Sequence, residues 1–119
     1  MAFQGQQPLV DGGRPAGADL FESQFRFVKL NSDGEVIAVA DANDDPYGVL
    51  QNAPREGEAA LVCLVGITKL VSSATLAPAA TVGTSANGRA ASGGTLGFVI
   101  DGGAADEVIT AAVSTLCTA

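Results

Sequence analysis

The sequence predicts an all-β domain, a small β-barrel or β-sandwich, preceded by an extended N-terminal arm. Short apolar segments with recurring β-branched side chains alternate with clusters of Asn, Asp, Gly and Pro, the pattern of strands and turns. The chain has 119 residues, enough for one domain that buries roughly 65% of its unfolded surface. We therefore divide the chain into an arm over residues 1–19 and a β-rich domain over residues 20–119.

The arm is rich in Pro and Gly and shows neither a helical nor a strand period. Two interpretations stay open for it. Untethered termini are commonly disordered, but an extended segment can also add a strand to the sheet edge of another subunit or partner. In the second case Pro8, Leu9 and Val10 would supply the strand.

Strands are predicted with most support in the first part of the domain. Phe25 to Ala40 reads as a hairpin around the turn residues 31–34, and 47–51 reads as a short strand. Residues 58–65 are apolar at nearly every position, so we expect both faces of this strand to be buried at the centre of the sheet. Gly66 should mark a bend or bulge before the strand continues.

The second part of the domain is less regular. Residues 72–94 are rich in Ala, Ser, Thr and Gly, which predicts a loop-rich connection with short pairings at Thr81-Val82 and Arg89-Ala90. A strand follows at 95–100. Residues 106–118 fit either a helical stripe or a strand, and their Val, Ile and Thr content favours the strand.

The charge of the chain argues against nucleic acid as a partner. Six Lys and Arg residues face thirteen Asp and Glu residues, for a formal net charge of −7, and phosphate backbones bind proteins through Lys and Arg. No apolar run approaches the roughly 20 residues that cross a bilayer, so no membrane association is expected. The N-terminal residues lack the features of a signal peptide, and we expect synthesis in the cytoplasm.

Two cysteines stand far apart in the sequence. Cys63 lies in an apolar run and is expected to behave as a small buried hydrophobic residue. A single disulfide between Cys63 and Cys117 stays open at this point.

No catalytic or metal-binding pattern is evident. The chain has no histidine, which removes the usual acid–base residue near neutral pH. Asp41, Asn43 and Asp45 match the first ligand positions of a calcium loop, but Pro46 stands in place of the required Gly and Asn52 in place of the bidentate Glu. We therefore expect no enzyme activity, no cofactor, no metal and no small-molecule substrate.

Five segments, in this order and spacing, give the chain a resemblance to a known family. They are Phe25-Arg26-Phe27-Val28-Lys29, Gly48-Val49-Leu50-Gln51-Asn52, Pro54, Gly57-Glu58-Ala59 and Gly66-Ile67-Thr68-Lys69. Over residues 20–89 the chain resembles the small capsid cement, or head-decoration, proteins of bacteriophages.

This resemblance implies a non-enzymatic virion protein that assembles, commonly as a homotrimer, on the outer surface of an icosahedral head and clamps neighbouring major capsid proteins. Many identical modest contacts on one shell would act together. We expect the contact with the capsid to lie on the arm, at Phe3, Pro8, Leu9 and Val10. The alternative is a tail or receptor-binding β module. A carrier domain modified on a lysine is disfavoured, since Lys69 lies in a strand context rather than at a hairpin tip.

Overall fold

The computed structural model describes residues 9–115, and for Leu9 its backbone only. The described residues form nine β-strands and contain no helix long and apolar enough to cross a bilayer. The strands are β1 (Leu9–Pro15), β2 (Phe27–Leu30), β3 (Val36–Ala38), β4 (Gly48–Leu50), β5 (Ala59–Val71), β6 (Thr81–Thr84), β7 (Ala90–Ser92), β8 (Gly97–Asp101) and β9 (Val108–Ser114).

All nine strands belong to one curled, antiparallel sheet. Its order is β3-β2-β4-β5-β9-β8-β6-β7, and β1 pairs with β5 beside this path. The curl gives the sheet the form of a half-barrel, so the predicted all-β, barrel-like fold is confirmed. The strand favoured for residues 106–118 is present as β9, and the short pairing of β6 with β7 is present as well.

The first strand shows how the N-terminal segment is used. Leu9 pairs with Val65 and Val10 with Cys63, so β1 extends the sheet of its own chain. Residues beyond β1 are tied down too, because Leu20 donates a backbone hydrogen bond to Pro54 at 2.9 Å and its side chain is buried. Residues 9–20 are therefore an integral part of the domain, whereas the sequence predicts an extended arm, disordered or added to a partner's sheet, over residues 1–19. Residues 1–8 lie outside the described residues.

The central strand differs from its prediction in one respect. β5 pairs with β1, β4 and β9, and Val62, Cys63 and Leu64 are buried in succession. However, Leu61 is 43% exposed, so the expected burial of both faces holds only for the middle of the strand. An apolar run indicates burial, but the neighbouring strands decide where it occurs.

Two apolar cores lie on opposite faces of the sheet. Consecutive residues of β2, β4 and β5 alternate between them, because side chains along a strand point to opposite faces. The first core fills the inside of the curl with residues of β2, β4 to β9 and the loops between them. It includes Phe27, Val49, Cys63, Leu70, Leu76, Val82, Ala90, Leu96, Val99, Ile109, Ala111 and Val113.

The second core covers only part of the outer side of the sheet. It consists of Ala16, Leu20, Val28, Val36, Leu50, Ala60, Val62 and Leu64. Ala16 and Leu20, from the segment after β1, form its lid over β2, β4 and the first half of β5. None of its members comes from the second half of β5, from β8 or from β9, which leaves the outer side of those strands uncovered.

Candidate interaction surfaces

The first candidate surface lies at the start of β1 and contains the described part of the predicted capsid contact. Val10 is 41% exposed and pairs with Cys63, two residues from the exposed Leu61. Leu61 lies over Gly12, where an added Cβ atom would come within 2.8 Å of its side chain. Val10 and Leu61 are thus apolar neighbours at the surface of the β1–β5 pair. Phe3 and Pro8 lie outside the described residues.

A side-chain hydrogen bond fixes β1 at this point. The hydroxyl of Tyr47, which directly precedes β4, donates to Oδ2 of Asp11, while the backbone N–H of Gly13 donates to Oδ1 of Asp11 at 2.9 Å. The hydrogen bond from Tyr47, with help from Gly13, lowers the pKa of Asp11. Burial, and then the acceptor Asp11, raise the pKa of Tyr47. Both shifts favour the charged carboxylate and the neutral phenol.

The backbone of Tyr47 joins this contact to the end of β9. The hydroxyl of Thr115 donates to the carbonyl oxygen of Tyr47 at 2.7 Å, and the N–H of Thr115 donates to the carbonyl of Leu64 at 2.9 Å. Tyr47 therefore contacts β1 through its hydroxyl and the residue after β9 through its backbone carbonyl. No sequence pattern indicates these contacts, since their members are far apart along the chain.

In the loop over residues 41–46, the carboxylates of Asp41 and Asp44 accept hydrogen bonds from other groups of the chain. Oδ2 of Asp44 accepts from Nζ of Lys29 at 2.9 Å and from the backbone N–H groups of Ala40 and Asp41. Oδ1 of Asp41 accepts from the N–H of Asn43. The hydrogen bond from Lys29 is the main cause of the lowered pKa of Asp44. Across residues 9–115 no three acidic or cysteine side chains converge on one point that could hold a metal ion.

A second candidate surface is a cavity of about 380 Å³ lined by Asp19, Phe21, Glu22, Ser23 and Arg26. Phe21 is 55% exposed, and the Arg55 guanidinium lies 5.0 Å from the centre of its ring. Nε of Arg26 is buried without an acceptor among the described residues. The site mixes one aromatic ring with both signs of charge, which suits a protein surface better than an apolar ligand.

The third candidate surface is the uncovered outer side of β5, β9 and β8. Register pairs place Ile67 beside Ala112 and Ala112 beside Phe98, and residues paired in this way share one face of a sheet. Ile67 is 57% and Phe98 51% exposed. Val108, on the same face of β9, is 53% exposed. We call this surface the outer face. The sequence does not indicate it, because alternation alone does not tell which of two faces is covered.

Cys63 and Lys69 take the places expected for them. Cys63 is a free thiol in the first core, and burial raises its pKa. Cys117 lies outside the described residues. Lys69 lies in β5, two residues before its end, with its ammonium 5.7 Å from the centre of the Phe25 ring.

Comparison with known proteins gives a likeness of fold. No protein-family model and no curated protein matches the chain. Among solved structures, the chain is similar to the crystal structure of the head fiber gp8.5 N base in bacteriophage phi29, with a TM-score of 0.66 and 14% sequence identity. The match covers 92% of this chain and 94% of the other. Nearly the whole chain therefore shares the fold of that base.

Proposed function

We propose that this chain is a non-enzymatic structural protein of a bacteriophage virion, a cement or decoration subunit that binds the outer surface of the head and stabilises contacts between major capsid proteins. The observation that carries the proposal is the shared fold with a phage head fiber base over 92% of the chain. The resemblance to cement proteins, which rests on the order and spacing of five segments within residues 25–69, supports the proposal independently.

The proposal assigns the capsid contact to Phe3, Pro8, Leu9 and Val10. Exposure of Val10 and of its neighbour Leu61 supports this assignment, since exposed apolar side chains that adjoin one another are available to a partner. The net charge of −7 supports a position on a solvated outer surface. A homotrimer on the shell is part of the proposal and rests on the resemblance alone.

A head-fiber base is the second candidate, and the likeness of fold supports it as well as it supports a cement subunit. The two candidates differ in what binding does to the shell. A cement subunit raises the resistance of the shell to heat or denaturant, because it binds the intact lattice in preference to separated subunits. For a fiber base, which need only be attached to the head, we expect no such effect.

The test adds purified protein to expanded capsids made from the major capsid protein encoded with it. Binding is read by co-sedimentation, and shell stability by the temperature at which the capsids release their contents. Binding with a raised release temperature supports cement, binding without it supports a fiber base, and absence of binding contradicts both. A tail or receptor-binding module would be in this last group.

The contact itself is tested with a chain that lacks residues 1–8 and with Val10→Ser. Residues 9–15 are left in place because β1 is a strand of the sheet. Both variants should lose capsid binding while keeping the fold. Phe21→Ser is the control, since Phe21 is also exposed but contacts Arg55 rather than β1. Undiminished binding by both variants would remove the assignment to this segment.

A further inference from the structure

The outer face carries two transverse rows of side chains. The first row is Ile67, Ala112 and Phe98, and the second is Lys69, Thr110 and Asp101. In each row the middle residue belongs to β9 and the outer two belong to β5 and β8. Ile67 and Lys69 share the outer side of β5, because they are two residues apart.

The second row places opposite charges on either side of β9. A shift in register after Val99 brings Asp101 opposite Thr110, so that its side chain stands on the same face as Phe98. Lys69 and Asp101 are both exposed, and within residues 9–115 neither takes part in an ion pair. Two strand spacings, about 10 Å, separate their backbones.

We propose that the outer face binds the outer face of a second copy of this chain, related by a two-fold axis that runs along β9. Such an axis exchanges the two sides of each row. Lys69 of one copy then faces Asp101 of the other, and Ile67 faces Phe98. Thr110 and Ala112, whose side chains are small, lie at the axis and let the two sheets approach.

The charges select this arrangement among the two-fold pairings of the face. An axis running across the strands would exchange the rows, placing Lys69 against Ile67 and Asp101 against Phe98. It would bury both charges without partners, which is costly. With the axis along β9, each interface contains two Lys–Asp pairs and two Ile–Phe contacts, the self-complementary pattern of an isologous dimer. Two aligned sheets packing face to face are a common arrangement.

This inference goes beyond the proposed function and does not depend on it. A pair of copies is a contact separate from the threefold contact of a homotrimer, which needs another surface. If both contacts form, trimers pair into hexamers. The mass of the particle therefore tells the contacts apart.

The test measures the mass of the full chain by light scattering coupled to size-exclusion chromatography, at about 0.15 M salt so that the net charges are screened beyond about 8 Å. Interfaces of standard size reach micromolar affinity or better, and this face is small. The protein concentrations measured therefore extend upward from about 1 μM. We expect the mass to rise with concentration to an even multiple of the 11.8 kDa chain.

Charge variants test the predicted pairing directly. Lys69→Glu and Asp101→Lys should each weaken pairing at least tenfold, since like charges from the two copies then face each other across the interface. The double variant Lys69→Glu/Asp101→Lys should restore it. Phe98→Ser should also weaken pairing, whereas Phe21→Ser is the matched control at an exposed aromatic residue elsewhere. Circular dichroism checks that each variant is folded.

A second readout is independent of mass. Equal amounts of ¹⁴N-labelled and ¹⁵N-labelled protein are mixed and treated with a carbodiimide, which joins a lysine to a carboxylate in contact with it. Mixed-isotope peptides linking Lys69 to Asp101 support the pairing.

Three results would overturn the proposal. They are a monomer or an isolated trimer at every concentration, failure of the double variant to regain pairing, and pairing that appears only after residues 1–8 are removed. The last result would mean that the chain's own N-terminal segment occupies the face.

Discussion

The hydroxyl of Tyr47 donates a hydrogen bond to the carboxylate of Asp11 and so ties the first strand of the sheet to the residue that precedes β4. The two residues are separated by 36 positions in the chain. Because residues 9–15 also pair along β5, the N-terminal strand is held by backbone and side chain together. The side chain of Val10 is therefore exposed at a fixed position on the sheet.

Replacing Tyr47 by Phe tests the electrostatic side of this contact. The pKa of Asp11 is lowered in the fold, so its contribution to stability is present above the ordinary value of 3.8 and is lost as pH falls through the folded pKa. The pKa of Tyr47 is raised, so its contribution is present below the ordinary value of 10.0 and is lost as pH rises through the folded pKa.

In Tyr47→Phe we expect the pKa of Asp11 to move upward toward its ordinary value and the protein to be less stable at neutral pH. The difference in urea midpoint between wild type and variant should shrink at acid pH and again at alkaline pH. Carbon-detected NMR titration of the Asp11 carboxyl measures the first effect. An unchanged titration would contradict the hydrogen bond.

Leu20 and Phe21 test whether the segment after β1 is part of the domain. Leu20 is 2% exposed in the second core, whereas Phe21 is 55% exposed. Leu20→Ala should lower the free energy of unfolding by about 2–5 kcal/mol, since it leaves a cavity in packed surroundings. Phe21→Ala should cost at most about 1 kcal/mol, the value of its contact with Arg55. Equal, small effects in urea unfolding would argue for a detached arm.

Gly88 and Gly57 form a matched pair of turn glycines. Their φ angles are +81° and +87°, where L-residues other than Gly are strained. A Cβ atom on Gly57 would meet nothing within 4 Å, whereas one on Gly88 would lie 2.5 Å from the carbonyl oxygen of Phe27. We expect Gly57→Ala to cost about 1–2 kcal/mol. Gly88→Ala should cost more in the same thermal or urea measurement, and a reversed order would contradict the packing of this turn against β2.

The thiol of Cys63 should be protected in the folded protein. It is 1% exposed, and burial raises its pKa, so little thiolate is present at neutral pH. In a Cys117→Ser variant, which leaves one thiol, we expect maleimide to react only when urea unfolds the chain. Rapid labelling of the native variant, followed by mass spectrometry, would show that the centre of β5 opens readily.

Local sequence patterns predicted much of the fold. The hairpin of β2 and β3 follows from alternating side chains around Asn31 to Gly34, where Asn31 accepts backbone hydrogen bonds from Asp33 and Glu35. The same rules predicted β4 and β8 close to their observed positions. For residues 72–94 they predicted a loop-rich connection with short pairings at Thr81-Val82 and Arg89-Ala90, where the structure has the strands β6 and β7. For residues 106–118 the β-branched content correctly favoured a strand, which the structure shows over 108–114.

The candidate surfaces could be predicted less well from local sequence patterns. Val10 was named from its sequence context, but the contacts of Asp11 with Tyr47 join distant parts of the chain. Phe98 and Val108 looked like ordinary strand residues, and nothing local distinguishes them from Val99 and Ile109, which are buried. Two adjacent residues of a strand face opposite sides of the sheet. Whether each side chain is buried therefore depends only on what covers its side.

By itself, the sequence determined that the chain folds as an all-β domain and where β2, β4, β8 and β9 and their turns lie, because turn residues and side-chain alternation act over a few positions. Only the tertiary structure decided that β1 pairs with β5 of its own chain, that Ala16 and Leu20 cover one half of the outer side, and that Ile67 and Phe98 stand uncovered on the other. Those outcomes depend on which distant segments meet, and short-range preferences do not contain that information.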